Sequence, residues 1–293
     1  MTAPSPCAAV VRRHDRERFA CAQFAPPDRR EDLLVLYALN LDLARVRERV
    51  REPMAGLIRF QWWSDVIEAI ATGHGPPSGH PVAGPLGRVM VERGLGRAEF
   101  EHLIDARRRD LDDEPPADMA ALLRYAGGTS APLARLGAAI LGVGADEDVD
   151  VDVDVDVDED VLAATEAVAL AWSLVGLLRA IPHLAAQGRV MLPRDRLASA
   201  GVDVAEVLAG RSPPGLAMVA AEMAAEAEAH IARARSFRGP GVRAALPLLL
   251  PATIAEGHLR RLRRTGHDTR DPLLWGPRPR VGTLLWNGVR GRF

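Results

Sequence analysis

The chain is 293 residues long, with 48% hydrophobic and 26% charged residues, which is enough to bury a large core. Its two cysteines, Cys7 and Cys21, exclude a disulfide framework or a thiolate metal site and suit a reducing compartment. The net charge of -2 hides an asymmetry, because residues 146–160 alone carry ten acidic side chains. The rest of the chain is basic, which suits an anionic ligand, a membrane surface or an acidic protein.

The composition favours helices, because Ala, Leu, Arg and Glu are abundant throughout. All 37 basic residues are arginine, which is typical of a GC-rich bacterial gene. The start of the chain has too short an apolar run for a signal peptide. No other apolar run is expected to reach the roughly 20 residues of a membrane span, which predicts a soluble or peripheral protein.

The spacing of apolar residues predicts helices along most of the chain. They recur every three or four positions over residues 27–50, and Pro53 begins a second helix that Gly73 ends. A Gly/Pro-rich loop follows at 74–85. The further predicted helices are 86–94, 97–113, 117–143, 160–186, 203–210, 216–237, 241–264 and 271–286. Short polar connections between such helices predict an all-α bundle.

Residues 146–160 alternate Asp with Val and mimic a strand. A strand face that carries only aspartate repels itself, and no second alternating run is present to pair with it. We interpret the segment as a solvated, mobile loop between helices. Weak calcium binding is the alternative, although the segment lacks the Gly turn of a dedicated calcium loop.

Three segments resemble the squalene/phytoene synthase family, whose all-α enzymes join two prenyl diphosphates head to head. They are LYALNLDLARVRE (36–48), FEHLIDARRRDL (100–111) and LRAIPHLAAQGRVMLP (178–193). The last is similar to the family phrase Leu-Arg-Asp-x-x-x-Asp followed by Gly-Arg-x-x-Leu-Pro. The resemblance covers nearly the whole chain. It implies a single domain over residues 1–293, an isoprenoid-synthase-like helical bundle around a central cavity.

The chemistry of the family requires paired aspartates. Ionising a prenyl diphosphate needs magnesium to hold the departing diphosphate, and magnesium needs hard oxygen ligands grouped on helix faces. The family has two aspartate motifs, which correspond to residues 36–48 (the first motif) and 178–193 (the second motif). In this sequence Ala44, Arg45 and Glu48 stand at the aspartate positions of the first motif. Ala180 and Leu184 stand at those of the second.

Only Glu48 is acidic among these positions, so we predict no catalytic residue and no metal ligand. Magnesium is expected as a cofactor only in the alternative that the protein is an active prenyl transferase. Glu48 is expected to form a salt bridge with Arg45 rather than a metal site. Pro182 is expected to kink the second motif helix.

The degenerate motif positions remain candidates for binding a ligand without turnover. A guanidinium can hold a prenyl or lipid phosphate through two hydrogen bonds without metal. The alternative is that these arginines cap helices or pair with acids. The candidate residues are Tyr37, Ala44, Arg45, Glu48, Arg179, Ala180, His183, Leu184 and Arg189.

Two further acidic patterns are interpreted without a catalytic role. Asp110, Asp112 and Asp113 spell the Asp-x-Asp-Asp of another terpene cyclase class, but they precede two prolines and are expected at an exposed helix end. Glu222, Glu226 and His230 follow at four-residue steps, and we interpret them as a solvated face rather than a metal site.

A kept scaffold with lost aspartates resembles the branch of the family typified by a mitochondrial complex I assembly factor and its alphaproteobacterial relatives. This implies a catalytically silent assembly or binding factor with a complex I subunit as its partner. The alternatives are a head-to-head prenyl transferase with an atypical metal site and a non-catalytic isoprenoid or lipid binder.

The tail at 265–293 mixes arginine with tryptophan and leucine, which favours contact with an anionic membrane surface. We therefore expect a cytoplasmic protein, peripheral at the inner face of the inner membrane. No nucleic-acid motif accompanies the basic residues, so no nucleic-acid partner is predicted.

Overall fold

The regular structure is helical throughout the computed structural model, which describes residues 4–143, 155–237, 239–271 and 281–293. The predicted all-α class is confirmed. Single turns of 3-10 helix follow α7 (Arg109–Leu111) and precede α13 (Pro240–Val242). The helices are α1 Pro6–His14, α2 Arg16–Ala22, α3 Pro27–Ala44, α4 Val46–Arg49, α5 Pro53–Ala71, α6 Ala83–Glu92, α7 Arg97–Arg108, α8 Met119–Leu141, α9 Val155–Ala186, α10 Arg194–Ser199, α11 Val204–Leu208, α12 Pro214–Ser236, α13 Leu246–Leu249, α14 Pro251–Arg264 and α15 Val281–Val289.

Two helices that the sequence analysis did not predict precede α3. The Ser5 hydroxyl caps α1 by accepting a hydrogen bond from the backbone N–H of Ala8 at 3.0 Å. The Asp15 carboxylate caps α2 in the same way, with Arg18 N–H as the donor at 3.0 Å. Each helix is too short to show a clear apolar period, and each is stabilised by its cap and by packing against other helices.

The predicted helix 27–50 is divided at Arg45, which leaves helical geometry with φ -99° and ψ 6°. The apolar spacing does not reveal the break, because Leu43 and Val46 are both buried on either side of it. The predicted helix 241–264 is likewise divided. Proline lacks a backbone N–H and favours the first turn of a helix, and α13 and α14 begin around Pro247 and Pro251.

The prediction of a loop over residues 146–160 was wrong at its end, because 155–160 form the first turns of α9. The rest of the predicted loop falls within residues 144–154, which lie outside the described residues. Most of the predicted helix 271–286 also lies outside them, and α15 begins at residue 281.

Helix α9 runs through the centre of the protein and packs most extensively against α8 and α12. Its buried side chains include Val168, Trp172 and Val175. The stretch Glu159–Ala186 is long and apolar enough to cross a membrane by length and composition, contrary to the expectation from the sequence, and 56% of its apolar window is buried inside the protein. Helix α9 continues past Pro182, where the sequence predicted a kink, and ends at Ala186.

A second packed region lies around α3 and α5, with Phe60, Trp63 and Phe100 at its centre, all fully buried. The end of α3 therefore lies between this region and the core around α9. The first motif segment, residues 36–48, therefore approaches the C-terminal end of α9, which carries the second motif segment.

Close packing of α12 against the turn after α10 gives a test of the fold. A Cβ added at Gly215 would overlap the carbonyl oxygen of Ala200, which is backbone and cannot rotate away, and would lie 2.8 Å from a methyl of Val202. We expect Gly215→Ala to lower the free energy of unfolding by about 1–3 kcal/mol in urea denaturation.

The matched control is Gly176→Ala, at an exposed position inside α9 with nothing within 4 Å of the added Cβ. Alanine restricts the unfolded chain more than glycine does, so this change should raise the free energy of unfolding by about 0.5–1 kcal/mol. Equal effects from both substitutions would contradict the packing described for α12.

Candidate functional site

The two segments that resemble aspartate motifs meet where α4 approaches the end of α9. Arg45 Nε lies 3.4 Å from Glu48 Oε2, so the predicted salt bridge is confirmed. Glu48 Oε1 also lies 3.2 Å from His183 Nε2. Gln187, one turn further along the chain, places its amide nitrogen 2.9 Å from the same His183 nitrogen. A carboxylate, an arginine, a histidine and an amide thus occupy the junction.

The remaining motif positions supply no ligand atoms. Ala44 ends α3, and Ala180 and Leu184 lie on α9, all three half-buried. Their side chains carry no oxygen or nitrogen. The junction therefore presents one carboxylate, and that carboxylate already contacts two basic side chains.

Arg179 lies one turn before His183 and faces the protein interior instead. Its Nη1 donates to Glu17 Oε2 at 2.7 Å. Nε2 of the buried His258 lies 2.7 Å from the other oxygen of Glu17. The carboxylate of α2 thus joins α9 to α14. The predicted alternative for Arg179, pairing with an acid, describes this contact.

Opposing effects set the pKa values in this cluster. Burial acts to raise the pKa of the Glu17 carboxyl, but the hydrogen bonds from His258 and Arg179 outweigh it and lower the pKa to about 2. Burial lowers the pKa of His258 despite its hydrogen bond to Glu17, and the charge of Arg179 acts in the same direction. A neutral His258 therefore donates its Nε2–H to an ionised Glu17.

Arg189 takes part in a separate polar cluster. Its Nη2 lies 3.6 Å from Asp110 Oδ1, and both side chains are buried. Tyr125 donates its hydroxyl to the same oxygen at 2.5 Å, and Arg107 Nη1 donates to Oδ2 at 3.3 Å. Burial raises the pKa of Tyr125, with the Asp110 charge adding to the effect. Arg107 continues the cluster to Asn40 on α3.

The position of Asp110 corrects the sequence analysis. It was expected at an exposed helix end, yet its side chain is buried in the 3-10 turn after α7, whereas Asp112 and Asp113 are exposed. Two arginines and a tyrosine surround Asp110 in this cluster. The absence of an acid role for this motif stays a prediction.

Tyr37 lies apart from both clusters, in the core between α3 and α9. It is buried, and burial raises its pKa. The Arg18 guanidinium stacks over its ring at 5.6 Å from the ring centre. Both line a cavity of about 30 Å³ with Trp172. A cavity of this size holds about one or two water molecules.

Asp42, beside the first motif, contacts three polar side chains. It pairs with Arg49 and, at 3.3 Å, with Arg59. The indole N–H of Trp63 donates to it at 2.9 Å. Burial acts to raise the pKa of Asp42, but the hydrogen bonds from Arg49 and Trp63 outweigh it and lower that pKa.

The donor set does not fit magnesium. Mg²⁺ demands near-octahedral oxygen ligands and is held by carboxylates and water. At the α4–α9 junction, Glu48 is the one carboxylate among the motif positions. Its two oxygens already contact Arg45 and His183. Within residues 4–143, 155–237, 239–271 and 281–293, no group of three or more His, Cys, Asp or Glu side chains is arranged to hold a metal ion. Glu222, of the pattern on α12, pairs instead with Arg196 at 3.4 Å.

The structure therefore distributes the nine candidate residues among four places. Arg45, Glu48 and His183 come together at the junction, whereas Arg179, Arg189 and Tyr37 each contact different partners. Sequence reasoning missed Glu17 and the role of His258. Glu17 precedes the three motif segments and His258 follows them, so neither residue lies in a motif that the sequence analysis used.

The chain is similar to known proteins over most of its length. The sequence pattern of the squalene/phytoene synthase family matches residues 11–283. The mouse and human proteins named NADH dehydrogenase (ubiquinone) complex I, assembly factor 6 are each 28% identical over 270 residues, covering 92% of this chain and 76% of theirs. A presqualene diphosphate synthase of Rhodopseudomonas palustris is 24% identical over 217 residues, covering 74% of this chain and 72% of its own.

Solved structures show the same fold. A squalene synthase from Alicyclobacillus acidocaldarius superposes with a TM-score of 0.68 at 22% identity, covering 89% of this chain and 93% of its own. A dehydrosqualene synthase in complex with ligand gives 0.76 at 15% identity, covering 97% and 94%. These matches confirm the predicted isoprenoid-synthase-like helical bundle.

The buried Glu17 cluster predicts acid sensitivity. In the unfolded chain the Glu17 carboxyl titrates near its ordinary pKa of 4.5, and in the folded protein near 2. Its stabilising effect is therefore complete above about pH 4.5 and lost as the pH falls towards 2. At pH 7, Glu17→Gln should lower the free energy of unfolding by about 3 kcal/mol, because Arg179 stays charged without its partner.

The control is Glu228→Gln, which removes the exposed pair with Arg263 and should cost less than about 1 kcal/mol. Urea denaturation from pH 7 to pH 3 measures both effects. The wild type should lose more stability on acidification than Glu17→Gln does, and parallel curves would contradict the assignment of a buried, ionised Glu17.

Proposed function

The chain belongs to the squalene/phytoene synthase family, and we propose that it acts there as a catalytically silent factor in the assembly of respiratory complex I. The relatives named complex I assembly factor 6 support this role, since they match this chain over nearly its full length. A fold of this kind hosts several functions, so the site must decide between assembly and catalysis.

One observation carries the proposal. The α4–α9 junction, where the family's magnesium-binding aspartates would face each other, contains Arg45, His183 and a single carboxylate, Glu48. Ionising a prenyl diphosphate requires magnesium ions that bind the departing diphosphate, and several carboxylates must hold these ions in place. The residues present can contact a phosphate, but they provide no set of oxygen ligands to hold magnesium against it.

The core around Tyr37 supports the same proposal. A head-to-head condensation needs space for two prenyl chains between the helices, whereas the cavity beside Trp172 measures about 30 Å³. Arg18 of α2 stacks over the Tyr37 ring at this cavity, and the side chains of both residues line it together with Trp172. A large apolar substrate would have to displace these side chains.

An enzyme is the second candidate, favoured by the presqualene diphosphate synthase relative. It would be a head-to-head prenyl transferase with an atypical metal site. The third is a non-catalytic isoprenoid or lipid binder, in which Arg45 holds a phosphate without metal.

A complex I subunit is the proposed partner. A factor that assembles a membrane complex would act in the cytoplasm at the inner face of the inner membrane. The bacterial source and this location remain predictions from the sequence.

The enzyme alternative has a direct test. Purified protein incubated with farnesyl or geranylgeranyl diphosphate and Mg²⁺ should release no more diphosphate than buffer does, because nothing at the junction can bind the metal ion. The presqualene diphosphate synthase of Rhodopseudomonas palustris serves as the positive control. Turnover that Glu48→Ala abolishes would overturn the proposed silence.

The assembly role is tested by deleting the gene and quantifying assembled NADH dehydrogenase by native electrophoresis and membrane NADH oxidation. We expect the assembled complex to fall while the transcripts of its subunits stay constant. Complementation with the wild type and with Glu48→Ala should restore it equally, because the role does not need catalysis. Normal complex levels in the deletion strain would remove the assembly hypothesis.

A further inference from the structure

Helix α15 attaches to the protein by one face and leaves the other exposed. Leu284 is buried, and Gly288 packs so closely on Phe24 that a Cβ there would overlap the ring. Asn287 donates its side-chain N–H to the Thr253 hydroxyl of α14 at 3.0 Å. These contacts fix the rotation of α15 about its axis.

The opposite face of α15 is apolar and exposed to solvent. The side chains of Leu285, Trp286 and Val289 are 53%, 58% and 83% exposed. The Arg290 guanidinium lies over the Trp286 ring at 3.8 Å from its centre. Leucine and tryptophan at neighbouring positions, with an arginine beside them, form an amphipathic surface whose apolar side chains face solvent.

A basic groove lies between α14 and α15, and Thr283 in its lining is one helical turn from Trp286 of the exposed face. It measures about 390 Å³, and its lining includes Arg260, Arg261 and Arg264 of α14 together with Thr283 of α15. Glu256 is the one carboxylate among the described lining residues, and it is paired with Arg235 and, at 4.0 Å, with Arg260. Helix α14 and residues 281–293 together carry six arginines and one glutamate.

We propose that the exposed face of α15 and the arginine-lined groove form a docking surface for an anionic lipid bilayer. The apolar side chains would enter the boundary between headgroups and acyl chains, where tryptophan is favoured. The groove arginines would contact lipid phosphates, which a guanidinium binds through two parallel hydrogen bonds. This inference concerns a surface and does not depend on the assembly role.

A bilayer fits this surface better than a second copy of the chain. A two-fold contact through α15 would place the same arginines of both copies against each other, and like charges at an interface are costly. Three exposed apolar side chains on one short helix also offer little of the roughly 1,200–2,000 Å² that a stable interface buries. A lipid surface supplies phosphate and hydrocarbon together.

Vesicle flotation tests the proposal with the full-length protein. Vesicles of phosphatidylcholine containing about 30 mol% phosphatidylserine should bind it, and pure phosphatidylcholine vesicles should bind it far more weakly. Raising the ionic strength from about 0.1 M to about 1 M should weaken the binding, because the Debye length falls from about 10 Å to about 3 Å.

Two double variants separate the charged and apolar contributions. Arg260→Gln with Arg264→Gln should reduce the partition coefficient about 25-fold, which is about fivefold for each charge removed near the surface. Leu285→Ser with Trp286→Ser should abolish insertion and with it the blue shift of tryptophan fluorescence. Circular dichroism checks that each variant keeps its helical content.

The matched controls are distant from α15 in the chain. Arg12→Gln with Arg13→Gln removes two exposed arginines of α1, and Met54→Ser with Ile58→Ser removes two apolar side chains that are 65% and 64% exposed. Both should bind vesicles like the wild type.

Three results would overturn the proposal. They are absence of binding to anionic vesicles, binding that is equal with and without phosphatidylserine, and control variants that weaken binding as much as the α14–α15 variants. Dimerisation in sedimentation experiments, lost in Leu285→Ser with Trp286→Ser while vesicles are not bound, would assign the face to a second copy.

Discussion

The half-buried carboxylate of Glu17 links three helices of the structure. It comes from α2 and accepts hydrogen bonds from Arg179 on α9 and His258 on α14. A charge in a protein interior is tolerated only with charged or hydrogen-bonding partners in good geometry. The three helices are therefore held in one arrangement. That arrangement directs the end of α9 towards α4 and places α14 where α15 can pack on it.

The junction of α4 and α9 separates the residues that hold the fold from the motif positions on which the proposed silence rests. The helices still bring the two motif segments together, because their packing depends on buried apolar side chains such as Leu43 and Leu178. Metal binding would depend on the motif positions, which are half-buried or exposed and are less constrained by packing. Arg45, Glu48 and His183 form a local ion-pair cluster there. Fold and activity thus rest on different residues, and one can remain while the other is lost.

The α14–α15 surface connects this chemistry to the proposed setting of the protein. Factors that assemble membrane complexes must reach subunits at the bilayer. A face that combines arginines with exposed leucine and tryptophan is suited to that boundary. The net charge of the whole chain gives no hint of this surface, because the acidic residues 146–160 cancel the basic charge in the sum.

Several features of the protein follow from its sequence alone. Helical periodicity identified most helices, since one turn relates neighbours three or four residues apart. The motif residues identified the family and the missing aspartates, and the Arg45–Glu48 salt bridge followed from their three-residue spacing. These are local properties, which short segments carry by themselves.

Only the tertiary structure revealed the partners that are distant in the chain. Arg179 pairs with Glu17, and Asp110 is buried against Arg189, although the two prolines that follow its motif predicted an exposed helix end. The burial of α9, whose length and composition would also suit a membrane span, is decided by α8 and α12 around it. Such contacts depend on how helices pack in three dimensions. The spacing of residues along a single helix carries no information about which other helix will face it.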